Sequence, residues 1–140
     1  MSGIDLRGLN KSELAEYIKS IGEPAYRAKQ LFRHIQKHGA DDFQSMSDLP
    51  ESLRSYLSEN TSLVMPKIID QQTSAAEDTV KLLLELADGE RIEMVLMLYE
   101  RWQAHNRATC CVSSQSGCAM NCRFCATALH EHFRNLTAGE

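Results

Sequence analysis

All five cysteines of the 140-residue chain fall within sixteen residues, Cys110 to Cys125, in the string C-C-V-S-S-Q-S-G-C-A-M-N-C-R-F-C. Three of them, Cys118, Cys122 and Cys125, are spaced C-x-x-x-C-x-x-C. Such spacings let thiolates on one short loop converge on a single metal centre, and packing preference alone rarely produces them. Whatever the chain folds into must present this loop. Three readings of the run are open. A structural zinc site takes four protein ligands, and the fourth would come from Cys110, Cys111, His130 or His132. A 4Fe-4S cluster on three cysteines leaves one iron for a small molecule, although the usual ferredoxin spacings differ and bring four cysteines. The third reading is a set of buried structural thiols.

Composition narrows the setting. With 43% hydrophobic and 24% charged residues the chain reads as globular rather than disordered. No apolar run approaches a membrane span. The start, M-S-G-I-D-L-R-G-L-N, lacks the basic and apolar regions of a signal peptide. A cytoplasmic setting with no membrane partner is the expectation, and clustered cysteines there are ligands or reactive thiols rather than a disulfide framework. The net charge of -4 gives no whole-molecule attraction for nucleic acid, so such contact has to be local.

The first third has helical periodicity. Asn10 with Glu13 has the form of a capping box, and Leu14, Ile18 and Ile21 follow at helical spacing before Gly22. Pro24 suits the start of a second helix. Its apolar stripe is Ala28, Leu31, Phe32 and Ile35, and its outer face carries Arg27, Lys29, Arg33 and Lys37 with no acid among them. Those four cations either clamp phosphates or form a solvated face. A third short helix is predicted to start after Ser47-Asp48-Leu49-Pro50 and to run to about Glu59. From Met65 the pattern alternates. Val80 to Leu86 and Arg91 to Leu98 flank an Asp88-Gly89 hairpin signal, and Ala108 to Val112 forms a further short strand. Between them lies a polar connector, Tyr99 to Arg107, with the only tryptophan, Trp102. If Asp88 and Gly89 are the two loop residues, Glu93 shares a face with Val80, Leu82, Leu84 and Val95; a bulge in the turn reverses that facing. A carboxylate on an apolar face is either a site residue with a raised pKa or a marginal group turned to water.

The cysteine pattern is the signature of radical S-adenosylmethionine enzymes, and Phe124 stands where they have an aromatic residue. The wider string C-V-S-S-Q-S-G-C-A-M-N-C-R-F-C-A-T-A, the following R-N-L-T-A-G-E, and the earlier G-L-N-K-S-E-L and G-E-P-A-Y-R-A-K-Q-L-F resemble the RlmN/Cfr family of radical S-adenosylmethionine RNA methyltransferases, the RlmN branch above all. That resemblance implies methylation of carbon 2 of adenine in 23S ribosomal RNA and transfer RNA, with a 4Fe-4S cluster and S-adenosylmethionine as cofactors. It implies that Cys118, Cys122 and Cys125 are cluster ligands, that Phe124 lies at the cofactor, that Cys111 is a catalytic cysteine acting as base and disulfide partner, and that Glu93 is a proton acceptor. Cys110 is taken as structural. An external electron donor and a monomeric state complete the expectation.

The fold class expected is α+β leading into α/β. A helical RNA-binding domain occupies residues 1–60 and a β-hairpin extension 61–103. Residues 104–140 hold the first strand and cluster loop of a radical S-adenosylmethionine partial barrel, truncated here. The chain departs from the family pattern at Leu98 (usually proline), at Trp102 to Asn106 (a small insertion) and at Glu131-His132 (usually Gly-Phe). In the family the methyl-carrying cysteine and most of the barrel lie beyond residue 140, so the chain alone is expected not to methylate RNA. The alternative is a non-catalytic RNA adaptor that binds zinc or a cluster.

Overall fold

The computed structural model describes residues 3–99, 107–120, 122–129 and 132–140. The connector with Trp102, and His130 and Glu131, therefore lie outside the described residues. Two compact units divide the chain. The first runs to Met65 and includes Thr137–Glu140; the second is Pro66–Leu136. No helix among the described residues is long and apolar enough to cross a membrane.

In the first unit a two-residue strand β1 (Ile4–Asp5) is followed by a 3-10 turn, helices α1 (Lys11–Ser20), α2 (Tyr26–Lys37) and α3 (Glu51–Asn60), and strand β2 (Thr61–Ser62). β1 and β2 pair in parallel. α1 begins where the sequence places its cap. The Asn10 carboxamide oxygen accepts the Ser12 and Glu13 amides at 2.9 and 3.1 Å, while Glu13 Oε2 accepts the Asn10 amide at 2.8 Å. The helices are short and of mixed propensity, so packing rather than propensity holds them. Leu14 and Ile18 of α1, Ala28, Leu31 and Ile35 of α2, and Leu53 and Leu57 of α3 bury one face each into a single core with Phe43, Met46 and Leu49. The link between α2 and α3 is tied back by Asp48, whose carboxylate lies 2.8 Å from Arg33 Nη2 and 2.5 Å from His34 Nε2.

The second unit is built on an antiparallel meander of β3 (Lys67–Thr73), β4 (Thr79–Glu85), β5 (Arg91–Tyr99) and β6 (Arg107–Val112) in that spatial order. β3 has no counterpart among the predicted strands. Lys67-Ile68-Ile69-Asp70-Gln71-Gln72-Thr73 lacks alternation, and the register against β4 shifts between Ile68 and Asp70, which marks a bulge. β6, expected as the first strand of a barrel, pairs antiparallel with β5 in this sheet. Two further short strands, β7 (Gln115–Ser116) and β8 (Arg134–Asn135), pair antiparallel with one another.

The β4–β5 turn departs from the two-residue loop expected of Asp88-Gly89. The Leu86 amide donates to the Glu90 carbonyl at 2.8 Å, and the Gly89 amide donates to the Leu86 carbonyl at 3.0 Å. Gly89 has φ +87°, a conformation that other residues adopt only under strain. The loop is thus three residues, a turn closed by a left-handed glycine. The extra residue moves the register by one: Glu93 stands opposite Leu83, not Leu84, and Leu82 stands opposite Met94.

Of the buried apolar residues described, eleven lie in the helical unit and only Leu86 and Ile92 in the sheet unit. Helical stability therefore rests on one closed core. Leu31→Ala, at a fully buried position, should destabilise the helical unit by about 2–5 kcal/mol, and Asn10→Ala by about 1 kcal/mol. Urea unfolding followed by far-ultraviolet circular dichroism checks both. A Leu31→Ala cost no larger than that of Asn10→Ala would contradict a packing-dominated unit.

Candidate functional site

The cysteine loop is closed at its base by the β7–β8 pair. Ser116 lies opposite Arg134 and Gln115 opposite Asn135, whose side chains are joined at 2.7 Å, and the Leu136 amide donates to the Ser114 carbonyl at 3.0 Å. Everything from Gly117 to Phe133 therefore leaves and returns through one narrow neck. Gly117 is required there. Its φ is +67°, and an added Cβ would lie 2.2 Å from the His132 carbonyl oxygen.

The neck is fastened to the β4–β5 turn. Ser116, 1% exposed, donates its hydroxyl to Glu90 Oε2 at 2.5 Å. Arg134 reaches Asp88 Oδ2 through Nη2 at 2.6 Å and through Nε at 2.8 Å. With His132 and Phe133 these four residues line a cavity of about 220 Å³. Ser116 and Arg134 fall within the motifs that carry the resemblance and Asp88 within the hairpin signal, but nothing in the sequence links them or assigns them a role at the loop's base. The Asp88 carboxyl is held below its ordinary value, first by the Glu90 amide that donates to it, against some loss of hydration, and then by Arg134.

Within the loop the Cys125 amide donates to the Cys122 carbonyl at 3.0 Å, which folds the C-x-x-C half into a tight turn. Cys118, Cys122 and Cys125 are each half-buried, and none of the five cysteines is in a disulfide. Phe124 is 93% exposed. Among the described residues, however, no three His, Cys, Asp or Glu side chains are gathered as a metal-holding group. The structure thus brings the three ligand candidates onto one closed loop without converging their sulfurs.

Glu93 requires a correction. The register places it on the face of Lys81, Leu83 and Val95, not on the apolar face of Val80, Leu82 and Leu84. Its Oε1 pairs with Lys81 Nζ at 3.2 Å, with the carboxylate side chain 58% exposed. Glu93 therefore does not stand on the apolar face expected of it, and the bulged turn is the physical reason. The register of β5 against β6 places the cysteines. Cys111 stands opposite Val95, so Cys111 and Glu93 share one face of the sheet, and Cys110, opposite Leu96, is on the other. Cys111 is exposed on that face.

In the helical unit the four cations of α2 divide. Arg27 Nη1 donates to the Asp48 carbonyl and Arg33 pairs with the Asp48 carboxylate, so both fasten the α2–α3 link. Lys29 and Lys37 are instead joined by Lys11 of α1 around a groove of about 550 Å³.

The neck's ion pair gives a pH test. Because the folded Asp88 pKa is depressed, its stabilising contribution is complete above the ordinary carboxylate range and is lost as pH falls through the lowered value. As pH falls below the ordinary carboxylate range, amide protection across the neck, corrected for the intrinsic exchange rate at each pH, should drop, while Asp88→Asn, already without the charge, should show little further change. Equal pH responses in the two proteins would remove Asp88 as the clamp.

Comparison with known proteins agrees with this architecture. Residues 4–63 match the family model described as the ribosomal RNA large subunit methyltransferase N-terminal domain. A probable dual-specificity RNA methyltransferase RlmN of Heliobacterium modesticaldum is 43% identical over 136 residues, 97% of this chain and 35% of the relative. The protein of the same description from Moorella thermoacetica is 44% identical over 98% of this chain and 38% of its own length. The crystal structure of a radical SAM methyltransferase from Sphaerobacter thermophilus superposes with a TM-score of 0.84 at 38% identity, covering 97% of this chain and 38% of that one. The chain spans about a third of the length of these relatives. In its N-terminal domain, in its sequence along nearly the whole chain and in its fold, the chain is thus similar to part of these RlmN methyltransferases.

Proposed function

We propose that this chain supplies the cluster loop and the RNA-contacting domain of a radical S-adenosylmethionine methyltransferase acting on carbon 2 of adenine in 23S ribosomal RNA and transfer RNA. The observation that carries the reading is the C-x-x-x-C-x-x-C loop, closed by its own neck, in a chain whose relatives are named as dual-specificity RNA methyltransferases. Three soft thiol donors on one loop suit iron–sulfur ligation. A 4Fe-4S cluster held by Cys118, Cys122 and Cys125 would supply the single electron for cleaving bound S-adenosylmethionine at its sulfonium, with methionine as the leaving fragment.

The residues of the chain do the rest. Cys118, Cys122 and Cys125 hold the group, and Phe124, beside the last ligand and exposed, is the wall offered to the cofactor. Cys111, accessible on the sheet face it shares with Glu93, is the base and disulfide partner that frees the methylated RNA; a thiol can serve both roles only when solvent reaches it. Glu93, exposed and paired only at a distance of 3.2 Å with Lys81, accepts a proton without having to break a buried ion pair. The unpaired lysines of the helical unit meet the RNA phosphates. The methyl-carrying cysteine that the resemblance places beyond residue 140 completes the reaction, in a monomeric cytoplasmic enzyme served by an external electron donor.

Anaerobic reconstitution with iron and sulfide should give a brown 140-residue protein whose cluster spectrum changes on adding S-adenosylmethionine. Cys118→Ala, Cys122→Ala and Cys125→Ala should each abolish the cluster, and Cys111→Ala should retain it. Tight zinc uptake in its place would favour the adaptor reading instead. The same chain should not methylate RNA, and turnover by it would overturn the assignment of the methyl carrier to residues outside it.

A further inference from the structure

We propose that the groove between α1 and α2 is a seat for an unpaired RNA base, with the flanking phosphates held by its lysine rim. The proposal rests on the RNA reading above for the choice of anion, but its argument is local to the helical unit. The groove, of about 550 Å³, is the size of a ligand site rather than a surface dimple. It exists because alanines occupy positions where the helix pair could have been filled. Ala15 of α1 and Ala28 of α2 leave the half-buried Phe32 as the largest apolar surface of the floor.

Charge selects the occupant. Lys11, Lys29 and Lys37 ring this floor, no acid lines it, and none of the ion pairs among the described residues involves these three lysines. Arg33 also reaches the groove but is committed to Asp48. A solvated helix face would carry acids among its bases, and α2 has none from Tyr26 to Lys37. The ring of Phe32 is open to polar groups from outside, since the Lys11 ammonium stands over it at 5.2 Å from the centroid. That contact keeps a cation above an aromatic face until a base displaces it, and the ammonium then has the base's own phosphate to pair with. An aromatic face under a cationic rim is the combination that binds single strands, whose bases stack while their phosphates pair; a duplex keeps its bases out of reach and offers phosphates alone.

The test uses the 140-residue chain and fluorescence anisotropy with four labelled probes: a short oligoadenylate, an abasic ribose–phosphate chain of the same length, a blunt RNA duplex and oligoglutamate. Oligoadenylate should bind about 5-fold or more tightly than the abasic chain. Phe32→Leu should remove most of that advantage without weakening the abasic chain, and Phe32→Tyr, which keeps the ring, should retain it. Lys29→Gln and Lys37→Gln should each lower the salt dependence of oligoadenylate binding by about one counterion. Equal binding of the abasic chain or the duplex, indifference to Phe32→Leu in a variant with unchanged circular dichroism, or oligoglutamate binding as tight as oligoadenylate would each overturn the proposal. None of these readouts involves the cluster, so failure of the groove and failure of the methyltransferase reading are separate results.

Discussion

The geometry of the sheet unit depends on one turn, Leu86 to Glu90. Its left-handed Gly89 adds a residue to the loop, and that residue fixes the register of β4 against β5 along its whole length. Register has period two, so the addition exchanges the faces of the sheet. It removes Glu93 from the apolar side, pairs it with Lys81, and leaves it on the face where β6 places Cys111. The turn also projects Asp88 and Glu90 to the neck of the cysteine loop, where they receive Arg134 and Ser116. One local conformation thus positions both the sheet residues and the base of the loop.

What could be seen in the sequence follows the range of the interactions. The cap at Asn10 and the stripe of α2 are encoded within a few residues, and both lie where the pattern puts them. Asp88-Gly89 correctly marks a hairpin, but whether two or three residues form its loop depends on bonds closed by Leu86 and Glu90, and a dipeptide signal does not contain that count. β3 escaped notice because a bulge and a run of polar residues erase its alternation, and at an exposed edge no buried face enforces it. The cation cluster was half legible: the bases of α2 are plain in the sequence, but their division between Asp48 and the groove depends on a loop fifteen residues away and on Lys11 from another helix. For the cysteines, spacing and resemblance identified the loop, while its neck required pairing between Ser116 and Arg134, which no local pattern links.

The two units balance stability and availability differently. The helical unit closes a core of fully buried leucine and isoleucine side chains and leaves its cations outside. The sheet unit buries little, and its apolar strand residues are mostly half-covered. Hydrophobic stabilisation scales with the area removed from water, so the sheet unit is held to a larger degree by its ladder bonds and the neck contacts. These are the interactions that bear directly on where the cysteine loop begins and ends.

That division bears on three thiols carried by one loop. A loop free at both ends would lose most of its chain entropy on gathering three ligands, whereas a loop already closed has little left to lose. The neck carries out that closure in advance through Gly117, whose position tolerates no side chain, and through the Ser116 and Arg134 contacts. The turn that brings Cys125 back on Cys122 orders half of the remainder. What is left open is the approach of the sulfurs themselves, which among the described residues form no metal-holding group. The fold therefore prepays part of the loop entropy, so that a ligand taking all three thiols would meet a loop already closed at its base.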